Sequence, residues 1–264
     1  MSRTFDTLEE RWAKLAPHIE VVRPAGEGPW PVLLTFHGCG GRRPFMKAYM
    51  RAAAEAGVMA VSVDSFAPRG WGRRRVLMTV CSGLELPGWQ RAGDVLAALW
   101  GVRSLPDADP TRIALGGWSH GGWAIMDLMT MTLDRPGEAM IADPDPDLLD
   151  NVRALVLAYP YCGPGALTQL RPWRRTPPAL AFVGERDRVA HPDLCRRAFR
   201  QAVRSGASVE TWFPPTASHA FDEETAGASV FRFDAAVFAE ARQRVAGFLR
   251  ETLAPSSAPP RENR

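Results

Sequence analysis

Residues Gly117, Trp118, Ser119, His120 and Gly121 place a serine in a G-x-S-x-G spacing. A serine hydroxyl is a weak nucleophile unless a base takes its proton and an acid orients that base. The spacing has a physical reason where a strand runs into it and a helix leaves it. The serine then sits on a tight, strained turn at the carboxyl edge of a sheet, and the flanking glycines remove side chains that would clash there. Residues 113–118 read as a strand and 121–133 as a helix, which is that setting. The N–H of His120, at the helix start, is available to a developing oxyanion. The competing reading is a glycine-rich turn that merely packs closely.

The base must lie downstream, after the acid. Of five histidines, His191 and His219 lie well beyond Ser119. His219 stands in a loop (214–222, PPTASHAFD) between the last strand and the final helix, where an imidazole can reach the sheet edge. His191 precedes Pro192 and reads as a surface or capping residue. The acid should follow strand 179–183, where Gly184-Glu185-Arg186-Asp187 offers Asp187, with Glu185 as second choice. Asp222 is too near His219 in sequence to reach the far ring nitrogen and reads as a brace for the loop. A second oxyanion donor belongs after strand 31–36, where His37-Gly38-Cys39-Gly40-Gly41 lets the backbone approach a substrate, with Cys39 as the donor. A dinucleotide fingerprint fails there, because its third glycine would fall at Arg43.

Positioning these groups takes strands at 31–36, 58–63, 113–118, 152–159, 179–183 and 208–213. Helices are expected at 45–56, 89–102, 121–133, 192–204 and 234–252. Alternating strands and helices imply crossover units and a mostly parallel central sheet. Strands apolar at nearly every position imply helices on both faces. The 264 residues suffice for one large core, and 46% hydrophobic against 23% charged side chains excludes a chain dominated by disorder. The expectation is a single α/β domain over 1–254 and a disordered, Pro-rich tail at 255–264.

The charge is nearly balanced, at 32 basic and 29 acidic side chains, with no basic stripe of the kind that binds nucleic acid. Only Lys14 and Lys47 are lysines, an arginine excess that reads mainly as compositional background. The N-terminus is polar and charged, unlike a signal peptide. The longest stretch free of Asp, Glu, Lys and Arg, 154–170, contains Pro160, Gly163, Pro164 and Gly165 and makes no spanning helix. The protein is therefore expected to be cytoplasmic, with no membrane partner. Cys39, Cys81, Cys162 and Cys195 show neither CxxC pairs nor zinc spacing, so no metal and free thiols are expected. A Cys39–Cys81 bridge would require both loops to meet at one rim.

Taken together, HGCGG, DSFAPRG (64–70), GWSHGG, GERD and SHAFD resemble the dienelactone hydrolase family of α/β-hydrolases, over residues 30–250. The resemblance implies the α/β-hydrolase fold, a Ser119–Asp187–His219 triad, and hydrolysis of small esters or lactones without a metal or organic cofactor. The founding members carry cysteine at the nucleophile position. Ser119 makes this chain more similar to the esterase-like relatives. The family's acidic residue near the oxyanion strand has no counterpart in 34–37. Thioesterase, peptidase or acyltransferase activity on the same fold is the nearest rival, and a non-catalytic ligand-binding protein on a hydrolase scaffold the more distant one.

Two long segments, 65–87 and 159–178, should overhang the site. In the first, Arg69 is the candidate to hold a substrate carboxylate, against the alternative of a solvated basic loop. Trp71, Trp118 and Tyr161 are candidates for an apolar wall. The expected partner is a small-molecule ester or lactone bound by a monomer or homodimer.

Overall fold

The structure, a computed structural model, describes residues 5–225 and 230–254; the tail at 255–264 lies outside the described residues. In chain order the elements are α1 (Leu8–Leu15), β1 (Ile19–Val22), β2 (Trp30–Phe36), α2 (Pro44–Glu55), β3 (Met59–Val63), α3 (Arg73–Thr79) and α4 (Gly88–Gly101). They continue with β4 (Ala108–Trp118), α5 (His120–Leu128), β5 (Val152–Ala158), β6 (Ala179–Phe182), α6 (Pro192–Arg204), β7 (Val209–Trp212) and α7 (Ala235–Thr252). All six expected strands are present. The elements not anticipated are α1, the edge strand β1 and the short helix α3. In α1, Thr7 and Glu10 close a capping box.

The seven strands form one sheet in the order β1-β3-β2-β4-β5-β6-β7, antiparallel at the β1 edge and parallel elsewhere. From β2 the chain passes to β3 on one side, then crosses back to β4 on the other. The loops leaving β2 and β4 therefore diverge and open a crevice at the carboxyl ends of the strands. Register brings the strand ends into line: Phe36 pairs with Gly117, Trp118 with Ala158, Ala158 with Phe182, and Phe182 with Trp212. Each following loop begins at that common edge.

The sheet is covered on both faces. Val32, Leu34 and Phe36 of β2 face a core shared with α1, α4, α5 and α6. Leu33, between them, faces the core under α2 and α7. This alternation is the period-two geometry of a strand buried on both sides, each fully buried side chain contributing roughly 1.5–3 kcal/mol. Among the described residues, no helix is long and apolar enough to cross a membrane.

Candidate active site

Ser119 occupies the turn between β4 and α5 with φ 51° and ψ −111°, a strained conformation for a non-glycine residue. Its N–H donates to the Ala158 carbonyl (2.9 Å), and its own carbonyl accepts from Trp123 (3.0 Å) and Tyr161 (3.2 Å). The turn is therefore fixed from both sides. A Cβ at Gly117 would lie 2.5 Å from the Gly122 nitrogen, and one at Gly121 would strike the Phe36 carbonyl, so neither position admits a side chain.

A continuous hydrogen-bonded relay starts at this serine. Ser119 Oγ lies 3.0 Å from Nε2 of His219, and Nδ1 of the same ring lies 2.7 Å from Oδ2 of Asp187. The other carboxylate oxygen of Asp187 accepts from the N–H groups of Val189 and Ala190, both at 2.8 Å, which fixes the carboxylate plane. Asp187 is 2% exposed and His219 4%, while Ser119 retains 9%. The reach of the relay to solvent is through the serine. Glu185, the second choice for the acid, is exposed and pairs with Arg196.

The His219 loop is braced from below. Asp222 is fully buried and accepts from the phenols of Tyr159 (2.6 Å) and Tyr49 (3.0 Å). Burial lifts its carboxyl to about 6, against the two tyrosine hydrogen bonds that lower it. The Tyr159 ring also meets the His219 imidazole edge-on at 4.9 Å, with Phe231 on the ring at 5.8 Å. No motif or spacing in the sequence marks Tyr49, Tyr159 or Phe231. His191 is exposed at the start of α6.

The loop after β2 runs beside the serine, close enough that a Cβ on Gly38 would sit 3.3 Å from Ser119 Cβ. The N–H groups of Cys39 and His120 have no hydrogen-bond partner among the described residues. Two free donors thus lie on the loops on either side of Ser119, an arrangement that could receive an oxyanion. Cys39 is also one end of a disulfide to Cys81. The expectation of four free thiols is corrected here: the turn after α3 folds back onto the β2 loop, so the two loops do meet at one rim. Cys162 and Cys195 are free and buried.

Two of the residues expected to touch substrate are engaged elsewhere in the fold. Arg69 is committed to Asp94 through Nη1 (2.8 Å) and Nη2 (2.9 Å) and donates to the Ser65 carbonyl. Asp94 is fully buried and also accepts from Arg11 (2.9 Å). Burial favours its neutral form, but Arg69 and then Arg11 outweigh it and hold the carboxyl at about 2. Trp118 is 1% exposed and packs 5.0 Å from Tyr49, because its side chain points to the sheet face covered by α2 and α7. Trp71 stacks on Phe66 at 6.3 Å in a small satellite core under α3, between Arg69 and Arg75. Tyr161 is half-buried beside the serine turn and packs on Trp123 at 4.9 Å, and Trp123 in turn meets the His120 ring at 5.2 Å.

The profile of the dienelactone hydrolase family matches residues 19–253. A search of curated proteins finds no match. Solved structures share the architecture. A putative dienelactone hydrolase from Klebsiella pneumoniae superposes with TM-score 0.63 at 16% identity, covering 88% of this chain and 91% of its own. Est1E from Butyrivibrio proteoclasticus gives 0.59 at 15%, covering 90% and 94%. Thermogutta terrifontis esterase 2, phosphonylated by cyclosarin, gives 0.61 at 18%, covering 90% of each chain. At such identities these structures speak for the fold, while the family match spans nearly the whole sequence. The chain belongs to the dienelactone hydrolase family and is an ester-bond hydrolase with the α/β-hydrolase fold.

Proposed function

We propose that the protein is a serine esterase for small carboxylic esters or lactones, working through an acyl-enzyme on Ser119. The observation that carries this reading is the unbroken relay Ser119–His219–Asp187 beside two unpartnered N–H groups. Ser119 Oγ attacks the ester carbonyl carbon as His219 Nε2 takes its proton. The carbonyl electron pair becomes an oxyanion held by the N–H groups of Cys39 and His120. Collapse expels the alcohol, which takes the proton from His219. Water then attacks the acyl-enzyme with the same proton traffic, releasing acid and free serine. Asp187 accepts from Nδ1–H throughout, keeping Nε2 as the basic nitrogen and stabilising the imidazolium.

The test is hydrolysis of short aryl esters, thioesters and peptides by the native protein and Ser119→Ala, together with labelling by a fluorophosphonate probe. The expected result is ester turnover and a single label on Ser119, both abolished in Ser119→Ala. Wild-type rates in Ser119→Ala would overturn the proposal, and a preference for thioesters would redirect it to that rival class.

A further inference from the structure

Arg91 of α4 is fully buried, and no carboxylate lies within 4.0 Å of it among the described residues. A buried cation without a counter-ion is costly, so what its five donors do is informative. Nε donates to Ser65 Oγ (3.0 Å). Nη1 donates to the His37 carbonyl (2.7 Å) and to Nδ1 of His120 (3.0 Å). Nη2 lies 3.3 Å from Nδ1 of His37, and the guanidinium stands 5.3 Å over the Phe66 ring. One side chain thus ties together the loops that leave β2, β3 and β4.

The contacts bear on the two free N–H groups through the peptide units that carry them. The Ser65 N–H points at Nε2 of His37 (3.2 Å), with Asp64 Oδ1 farther away at 3.4 Å; in the tautomer that satisfies the Ser65 N–H, Nε2 accepts and the ring proton sits on Nδ1. Nδ1–H then donates to the Gly38 carbonyl (2.7 Å), which also accepts from the Gly41 N–H (3.1 Å). The Gly38 carbonyl and the Cys39 N–H belong to one trans peptide and point in opposite directions. Pinning the carbonyl inward aims the N–H away from the core. Arg91 holds the preceding carbonyl of the same loop. On the other side it holds the ring of His120, the residue that supplies the second N–H. Burial, then Arg91, pushes the His120 imidazole well toward its neutral form, consistent with Nδ1 acting as acceptor.

We propose that Arg91 is a positioning residue for the oxyanion: it fixes the peptides that carry the Cys39 and His120 N–H groups in donating orientation and places a positive charge with no contacting carboxylate behind them. Asp94 and Asp64 attract this charge from beyond salt-bridge distance, but Asp94 is shared with Arg11 and Arg69, and Asp64 with Arg42. The field is complemented when negative charge develops at the substrate, which is preorganised electrostatic stabilisation. This inference rests on the serine-esterase reading.

The experiment compares wild type, Arg91→Met and Arg91→Lys. Fluorophosphonate titration counts competent serines, thermal melts report folding, and kcat is expressed per titrated site. A merely structural role lowers the melt or the number of sites and leaves kcat per site unchanged. The inference expects kcat per site to fall about 100-fold in Arg91→Met and about 10-fold in Arg91→Lys, with KM within about threefold. Affinity for an aryl trifluoromethyl ketone, which adds to the serine as an anionic hemiketal, should fall in parallel. Affinity for the matching methyl ketone should not. Wild-type kcat per site in either folded variant, or unchanged trifluoromethyl ketone affinity, overturns the inference. Should Arg91→Met fail to fold, Arg91→Lys decides alone, since lysine keeps the charge but cannot span Ser65, His37 and His120. A wild-type protein that neither titrates nor hydrolyses esters removes the esterase reading, and this inference with it. An active wild type with fully active variants removes only the inference.

Discussion

Cys39 and Cys81 form a disulfide, so the loop that carries the unpartnered Cys39 N–H and the turn behind α3 are one covalent unit. Without reductant, the unfolded protein should expose two titratable thiols, Cys162 and Cys195, and after reduction four. Cys81→Ser should lower stability by up to ~4 kcal/mol, the chain-entropy value for a closed loop of this length, and should reduce kcat/KM as the Cys39 loop loosens. Four thiols titrating before reduction would contradict the bridge.

The Arg69–Asp94 pair predicts a loss of stability with no loss of substrate affinity. Arg69→Ala leaves buried Asp94 with Arg11 as its remaining cation and should cost ~2 kcal/mol in a denaturant melt. KM for an aryl hemisuccinate and for the uncharged aryl acetate should change by the same small factor. A selective rise for the hemisuccinate would return Arg69 to the substrate site.

Asp127 near the end of α5 predicts a pH dependence of stability. Its Oδ1 accepts from the N–H of Leu167 (2.7 Å) and Thr168 (3.3 Å), and Oδ2 has no partner among the described residues. Burial, opposed by these N–H groups, raises the carboxyl from 3.8 to about 7. Between those two values the folded protein holds a proton that the unfolded chain has released. Stability conferred by this group is therefore full below pH ~4, falls by ~1.4 kcal/mol per pH unit as pH rises toward 7, and levels off above. Asp127→Asn keeps the acceptor and removes the slope. Unfolding free energies of both proteins from pH 4 to 8 check this: parallel curves would contradict it.

The relay was legible because each member follows a strand, and an α/β sheet delivers every such loop to one edge. Ser119 was marked by its glycines, Asp187 and His219 by their order after β6 and β7. Pairings between distant segments were not legible. That Arg69 meets Asp94 depends on how α4 packs against the loop after β3, and the facing of Trp118 depends on strand register to one residue. The edge strand β1 and helix α3 are too short for periodicity to declare them. Arg91 did leave a signal, since Arg91 and Asp94 are charged positions in a helix otherwise buried nearly all round. Such positions need partners.

The proposed esterase mechanism stands on an acyl group on Ser119, which can be trapped. The protein is mixed with p-nitrophenyl acetate, quenched in acid within the first turnover, digested and mapped by mass spectrometry. A burst of one nitrophenol per chain and one acetyl group on the peptide bearing Ser119 are expected, both absent in Ser119→Ala. Ester turnover with no burst and no acetylated Ser119, or with the acetyl group on another residue, would contradict the mechanism.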